Sequence, residues 1–241
     1  MKVRKKNEQE GSYEHTYFFE NSNSNIFEQF RMIRTNIDFM SIGKKISTLV
    51  ITSPMPSTGK TTIAANLAAA FASQKRRVIL VDTDLRKPKV HKYFQLPSNI
   101  GLSSLFMNHE LKIDDVIYTS IVENLYLLPC GYIPPNPAEM LSSSRMNHIM
   151  QKLEENFDMV IYDTPPITLV ADAQIMAGKV DGTIFVLRKD SDKKSSIRKS
   201  KELIDSAQAK VLGVIFNREE TKIQQTGYYM MDKEEEKITH N

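Results

Sequence analysis

The sequence predicts an α/β protein with a doubly wound, mostly parallel sheet. Two observations lead to this fold class. Short apolar, β-branched runs, typical of strands buried on both faces of a parallel sheet, alternate along the chain with segments whose apolar residues recur at helical spacing. Strands separated by helices imply right-handed crossovers between parallel neighbours. The 241 residues, 41% hydrophobic and 25% charged, match the size and composition of one large globular domain.

The predicted elements begin with an amphipathic helix that starts at Ile26 and ends near Gly43. The predicted strands cover residues 46–51, 77–81, 125–128, 157–161, 182–187 and 211–216. The other predicted helices cover residues 61–74, 146–155, 171–177 and 193–207. These elements form a domain over residues 26–218, and we expect a flexible arm at 1–25 and a flexible tail at 219–241.

Composition limits the possible partners and the cellular location. The net charge is only +3, from 32 Lys and Arg against 29 Asp and Glu, so we expect no nucleic acid partner. The single cysteine, Cys130, excludes an internal disulfide and fits a reducing compartment. No apolar run approaches the roughly 18 residues of a spanning helix. We therefore expect a cytoplasmic protein, with any membrane link supplied by a partner.

The segment after the first predicted strand has the pattern of a phosphate-binding loop, as in P-loop NTPases. Residues 52–62 read TSPMPSTGKTT, and a predicted helix follows. A loop between a strand end and a helix start directs backbone N–H groups and the positive helix pole at one point, which suits a polyphosphate. Lys60 is placed to neutralise the β and γ phosphates, and Thr61 to bind Mg²⁺. The expected nucleotide-binding residues of this loop are Ser57, Thr58, Gly59, Lys60, Thr61 and Thr62.

Two loop positions depart from the pattern G-x-x-x-x-G-K-[ST]. Pro54 replaces the first glycine, and Ser57 stands where many such loops have glycine. A serine held at positive φ costs about 1 kcal/mol of backbone strain. We expect these departures to weaken nucleotide affinity without abolishing the site.

Three aspartates are predicted to lie at the same edge of the sheet as the loop. Asp82 and Asp84 follow the second predicted strand, and Asp163 follows an apolar strand in the Walker B arrangement. The carboxyl ends of parallel strands meet at one edge, which brings these carboxylates near the phosphates and the magnesium ion. Aspartates also end strands as ordinary turn residues, so the prediction depends on their combination with the loop.

Together these motifs resemble the bacterial tyrosine kinase (BY-kinase) family, the cytoplasmic kinases of capsule and exopolysaccharide synthesis, whose fold is related to MinD and ParA. The P-loop pattern S-x-x-P-x-x-G-K-[ST] is matched by Ser53, Pro56, Gly59, Lys60 and Thr61. The pattern D-x-D-x-R is matched by Asp82, Asp84 and Arg86, and the Walker B aspartate by Asp163. The resemblance covers most of the chain, from about Phe27 to the tail.

The resemblance implies a protein-tyrosine kinase that uses ATP and Mg²⁺. It points to Lys60, Asp82 and Asp84 as catalytic residues, with Asp82 as the base that accepts the tyrosine proton. Thr61, Asp84 and Asp163 are the implied metal ligands, and Arg86 is a further implied nucleotide contact. The sequence alone does not separate the roles of the three aspartates.

The two ends of the chain extend the resemblance. Glu28, Arg31 and Arg34 match the family motif E-x-x-R-x-x-R, which is associated with ring-like self-assembly, so a homo-oligomer is implied. An ordinary solvated helix face with an i,i+3 ion pair is the alternative. Tyr228 and Tyr229 match the family's C-terminal tyrosine cluster and are the implied phosphoacceptors. Family members without a spanning segment are activated by a transmembrane modulator of the polysaccharide export system, and we expect such a partner here.

The sequence also allows two other functions. A ParA- or MinD-like ATPase switch has the same sheet, but its loop contains a signature lysine at the position of Met55. A non-catalytic nucleotide-binding regulator of polysaccharide export is compatible with the serine at position 57. The methionine at position 55 and the tail tyrosines favour the kinase.

Overall fold

A seven-stranded sheet forms the centre of the computed structural model, which describes residues 25–188 and 192–217. The strands are β1 Thr48–Thr52, β2 Val78–Asp82, β3 Tyr118–Thr119, β4 Leu125–Leu128, β5 Met159–Asp163, β6 Gly182–Arg188 and β7 Val211–Asn217. Their spatial order is β3-β4-β2-β5-β1-β6-β7. All neighbours are parallel except β3, which is antiparallel to β4. The predicted fold class is confirmed.

Helices cover both faces of this sheet. They are α1 Asn25–Met40, α2 Lys60–Ala72, α3 Val90–Tyr93, α4 Ser104–Met107, α5 Pro137–Ser142, α6 Ser144–Asn156, α7 Asp172–Ala177 and α8 Lys194–Ser206, with a 3₁₀ turn at Ile113–Asp115. Along β2, Val78 and Leu80 pack into the cluster that contains α1 and α2. Ile79 and Val81 pack into the opposite cluster, with α6 and α7. This alternation buries every residue of the strand.

The helix that follows the phosphate loop is buried along most of its length. Alanines at residues 64, 65, 68, 69, 70 and 72 are at most 1% exposed. Small side chains let a helix lie close to a sheet while losing no side-chain entropy. The sheet thereby holds the start of α2, and with it Lys60, in a fixed position.

The long predicted elements are all present, and their ends shift by at most three residues. The short elements α3, α4, α5, the 3₁₀ turn and β3 were not predicted from the sequence. Each is six residues or shorter, and so too short to show a hydrophobic period.

The predicted tail, including Tyr228 and Tyr229, lies outside the described residues, as does the predicted arm apart from Asn25. The proposed domain limits therefore stay a prediction. Within residues 25–188 and 192–217, no helix is both long enough and apolar enough to cross a bilayer.

Candidate active site

The phosphate loop connects the end of β1 to the first residue of α2. Gly59 precedes the helix with φ of 92°, and Ser57 has φ of 61°, so the loop contains a serine in the strained region. The positive φ at position 59 favours glycine, and a Cβ there would displace the side-chain amide of Asn217. The first hydrogen bond of the helix runs from the Ile63 N–H to the Gly59 carbonyl, at 2.9 Å. The N–H groups at the start of a helix lack partners within the helix, so those of this turn are available to bind an anion.

The predicted loop residues differ in exposure. Ser57 is exposed, Thr58 is buried, and Thr62 is half-buried with its carbonyl accepting a 2.8 Å hydrogen bond from Asn66. The Thr58 hydroxyl is buried and has no hydrogen-bond partner within the described part of the chain.

Thr61 and Asp163 join the phosphate loop to the Walker B strand. The Thr61 hydroxyl donates a 2.6 Å hydrogen bond to Oδ2 of Asp163, while Oδ1 of that carboxylate is buried and unpartnered among the described residues. Burial raises the pKa of Asp163 to about 6, although Lys60 and the Thr61 hydrogen bond oppose the shift. An unpartnered, desolvated carboxylate oxygen beside a threonine hydroxyl fits a hard cation such as Mg²⁺.

Lys60 supplies positive charge near the carboxylate of Asp163. It is only 8% exposed, and burial lowers the pKa of its ammonium group, while the charges of Asp163 and Asp84 oppose that shift. A desolvated cation at a helix N-terminus interacts strongly with an incoming phosphate, because little water screens it.

Asp82 is fixed by backbone hydrogen bonds at the end of β2. Its Oδ2 accepts from the N–H groups of Lys89 and Val90, at 3.0 and 2.9 Å, and its Oδ1 accepts from Asp84 at 3.2 Å. The residue is fully buried and is paired in register with Asp163 on β5. Burial, and then the charge of Asp163, raises the pKa of Asp82 well above its usual value.

Asp84 lies just beyond the strand and is half-buried. Its Oδ1 accepts a 3.0 Å hydrogen bond from the Lys87 N–H. Burial raises the pKa of this carboxyl as well, opposed by hydrogen bonds and by Lys60. The structure thus brings the three predicted aspartates and the loop lysine to one edge of the sheet.

Arg86 has a partner that the sequence did not indicate. Its guanidinium donates two hydrogen bonds, at 2.9 and 3.1 Å, to the carboxylate of Asp172 at the start of α7. The Asp172 side chain is fully buried, and that of Arg86 is 42% exposed. In this structure Arg86 therefore anchors α7 beside the site, and its predicted contact with nucleotide stays a prediction.

Asn217, the last residue of β7, is a site residue that the sequence analysis missed. Its side-chain amide donates a 2.7 Å hydrogen bond to the carbonyl oxygen of Thr58 in the phosphate loop. Its position could have indicated this role, because a polar residue at the carboxyl end of a parallel strand lies at the functional edge of the sheet.

The three residues of the predicted assembly motif differ in exposure. Glu28 and Arg31 are exposed and form a 3.0 Å ion pair, whereas Arg34 is partly buried and donates a 3.3 Å hydrogen bond to the Ala70 carbonyl in α2. The reason is geometric: positions three residues apart drift by about 60° around a helix, so Arg34 lies about 120° from Glu28.

The strand, loop and helix around Lys60, with aspartates at the ends of neighbouring strands, define a P-loop nucleotide-binding protein. A family model described as an AAA domain matches residues 48–188. The chain is 42% identical over 203 residues to the tyrosine-protein kinase YwqD of Bacillus subtilis (strain 168), an alignment that covers 84% of this chain and 85% of the relative. The crystal structure of the chimerical protein CapA2B2 superposes with a TM-score of 0.79 and 42% identity, covering 83% of this chain and 88% of that one.

The chain therefore belongs to the bacterial tyrosine kinases, and it is a protein-tyrosine kinase. A weaker likeness is to the septum site-determining protein MinD of Pyrococcus horikoshii OT3, complexed with Mg-ADP. That structure has a TM-score of 0.60 and 25% identity, covering 72% of each chain. The MinD-like fold and nucleotide binding are shared, and the prediction of a kinase over an ATPase switch is confirmed.

Proposed function

We propose that this kinase transfers the γ-phosphoryl group of ATP to Tyr228 and Tyr229 of an adjacent copy, and thereby regulates capsule or exopolysaccharide synthesis and export. One observation carries the proposal: Lys60, the Thr61–Asp163 hydrogen bond and the buried Asp82 lie together at the carboxyl ends of β1, β2 and β5. A buried cation and carboxylates beside a helix N-terminus are the parts that phosphoryl transfer requires.

The residues around the loop divide into phosphate-binding and metal-binding groups. Lys60 and the first N–H groups of α2 bind the phosphates, with Ser57, Thr58, Gly59 and Thr62 shaping the loop around them. Thr61, Asp84 and Asp163 hold Mg²⁺, which supplies charge neutralisation on the phosphates. No three His, Cys, Asp or Glu side chains in the described ranges are arranged to hold a metal alone. Magnesium commonly binds through one or two carboxylates, water and substrate phosphates.

Asp82 is the proposed base. A phenol with a pKa near 10 is a poor nucleophile at neutral pH, so a carboxylate must accept its proton. Burial and the neighbouring charge raise the pKa of Asp82, and a carboxylate with a raised pKa is a stronger base. Three backbone hydrogen bonds hold its oxygens in place; Oδ2 accepts two of them and Oδ1 accepts one, which leaves a lone pair on Oδ1 for the proton.

Assembly and recruitment complete the proposal. The exposed ion pair of Glu28 and Arg31, with Arg34 behind it, contributes to a homo-oligomer that presents the tail of one copy to the site of the next. A transmembrane modulator of a polysaccharide export system recruits the cytoplasmic kinase to the membrane and activates it. The family resemblance supports both statements.

A two-chain assay tests the transfer. One chain has intact catalytic residues with Tyr228→Phe and Tyr229→Phe; the other has Lys60→Met and keeps both tyrosines. After incubation with ATP and magnesium, alone and with a modulator fragment, we expect phosphotyrosine at residues 228 and 229 of the Lys60→Met chain by mass spectrometry.

The controls test whether phosphorylation depends on Lys60 itself or is lost when any lysine is replaced. The Lys60→Met chain by itself must stay unmodified, and Lys199→Met, an exposed lysine of α8, must behave as the unchanged protein. Undiminished phosphotyrosine in the isolated Lys60→Met chain would overturn the proposal.

A further inference from the structure

We propose that a basic pocket beside the catalytic aspartates selects acceptor tyrosines that are followed by acidic residues. The inference rests on the proposed function and specifies the substrate that the same site prefers. The pocket is a cavity of about 670 Å³ whose lining includes Lys87, Lys89, His91, Lys92, Tyr132 and Ile133. We call it the basic pocket.

The basic pocket adjoins the site through the backbone. One wall is the segment after β2, and the other is the segment after β4, which pairs with β2 in the sheet. The Lys87 N–H donates to Asp84, and the Lys89 N–H donates to Asp82, both at 3.0 Å. The same short segment therefore fixes the catalytic carboxylates and positions the lysines next to them.

The lining of this pocket is positively charged, although Asp84 and Asp163 of the neighbouring site partly offset the charge of Lys89. Lys87, Lys89 and Lys92 are exposed, no carboxylate lines the cavity, and none of the three ammonium groups has an ion-pair partner among the described residues. Burial, and then Lys92, lowers the pKa of His91, so this imidazole is neutral at physiological pH. Three lysines that line one cavity favour an anionic ligand over a neutral one.

Beside the lysines the pocket has an apolar margin. Tyr132 and Ile133 follow β4 and are 57% and 62% exposed, although both are large hydrophobic side chains. Exposed apolar groups next to a charged patch are typical of a recognition surface. The ligand that fits combines an apolar part with a negatively charged part.

The tail of this chain has that composition in a suitable order. Tyr228 and Tyr229 are followed by Met230 and Met231, and then by the acidic residues Asp232, Glu234, Glu235 and Glu236. In an extended chain, Asp232 lies about 10 Å from Tyr229, and Glu236 lies about 23 Å from it. The order of an apolar pair followed by carboxylates, within about 23 Å of the acceptor tyrosine, matches a pocket that has an apolar margin beside lysines. The occupant is therefore residues 230–236 of a second copy.

Binding of labelled peptides tests this directly. The protein is the full chain with its own tail neutralised by Asp232→Asn, Glu234→Gln, Glu235→Gln and Glu236→Gln, saturated with ADP. One fluorescent peptide has the native sequence of residues 225–237, and the other has the same four neutralising substitutions. Because exposed ion pairs are individually weak, we expect the native peptide to bind roughly fivefold more tightly by fluorescence anisotropy.

Substitutions in the basic pocket test whether the difference in peptide affinity arises there. Lys87→Ala with Lys92→Ala should remove the difference between the peptides, while Lys194→Ala with Lys199→Ala, exposed lysines on α8, should preserve it. The chain with Lys87→Glu and Lys92→Glu should bind a peptide with lysine at the four acidic positions more tightly than it binds the native peptide. Equal affinities for the two original peptides, or a preference that survives in the Lys87 and Lys92 variants, would overturn the inference.

Phosphorylation of the same two peptides separates the two proposals. If neither peptide gains phosphotyrosine, the proposed acceptor role fails, while the binding comparison still decides on the basic pocket. If both are phosphorylated with the same KM, the acceptor role stands and the selectivity is wrong. We expect a KM several times lower for the native peptide, with a difference that shrinks as salt is added.

Discussion

Asn217 and Thr58 are joined by a 2.7 Å hydrogen bond from the side-chain amide of the first to the carbonyl oxygen of the second. The two residues are 159 positions apart in the sequence. The bond connects the last strand to the phosphate loop at the point where Gly59 turns the chain into α2. The loop is thus supported by the far end of the domain as well as by its own strand and helix.

Asn217→Ala should weaken both the fold and nucleotide binding. Loss of the amide leaves the Thr58 carbonyl without this donor, which costs about 1 kcal/mol of unfolding free energy. A less fixed loop must be ordered by the nucleotide, so we expect roughly fivefold weaker ADP binding. Urea unfolding and titration with a fluorescent ADP analogue measure the two effects. The control is Asn156→Ala, at the exposed end of α6, which should leave ADP affinity unchanged. An unchanged ADP affinity in Asn217→Ala would contradict the role of Asn217 in supporting the phosphate loop.

Arg86→Ala should destabilise the protein even without ligand. It leaves the buried carboxylate of Asp172 without its guanidinium, and removing one partner of such a pair costs about 2–3 kcal/mol. The double variant Arg86→Met with Asp172→Leu should recover much of that loss, since no unpaired charge remains. Urea unfolding of the ligand-free proteins measures this. If the single variant unfolds like the unchanged protein and only nucleotide binding is impaired, Arg86 acts on nucleotide as the family resemblance implies.

Asp181 should make stability depend on pH in the acidic range. Burial raises the pKa of this carboxyl, but hydrogen bonds from the backbone and hydroxyl groups of Ser47 and Thr48 outweigh it, and the net shift is downward. A carboxyl group whose pKa is lower in the folded than in the unfolded chain stabilises the fold at pH values above its unfolded pKa of about 3.9. This stabilisation is lost as the pH falls through the folded pKa. The difference in unfolding free energy between the unchanged protein and Asp181→Asn should be constant above about pH 5 and shrink below pH 4. A difference that grows on acidification would show the opposite shift.

Cys130 should be inert to alkylation in the folded protein. Its side chain is fully buried, and burial, together with Asp82 and Asp84, raises the pKa of the thiol to about 12. Because the thiolate is the nucleophile, the reactive fraction at pH 8 is about a thousandfold lower than for a free thiol. Mass spectrometry should show no iodoacetamide adduct in buffer and full reaction in urea. Rapid labelling of the native chain would mean that the end of β4 opens.

The phosphate loop was predictable because its signals are local. The glycine, lysine and threonine of residues 59–61 are contiguous, and an apolar strand and an alanine-rich helix flank them in the required order. Asp82 and Asp163 were predictable in the same way, since each follows a short buried strand. Parallel pairing then brings the two together in register.

The supporting contacts were not predictable, because each joins distant parts of the chain. Nothing near Arg86 in the sequence indicates Asp172, and nothing near Thr58 indicates Asn217. The direction of Arg34 depends on where α1 lies on α2, and that position is set by packing rather than by the spacing of charges. The candidate catalytic groups were therefore predictable from the sequence, whereas the residues that hold them were not.

The two edges of the sheet limit how copies of this kinase can associate. At one edge β3 offers two residues for pairing, while at the other β7 is seven residues long, with Val211, Val214 and Phe216 between 44% and 55% exposed. Within the part of the chain that the structure describes, β7 has a strand neighbour on one side only, so its outer edge can pair with that of a second molecule about a two-fold axis, and growth then stops. A closed assembly of more than two copies must therefore be built through another surface, such as the helix that bears Glu28 and Arg31.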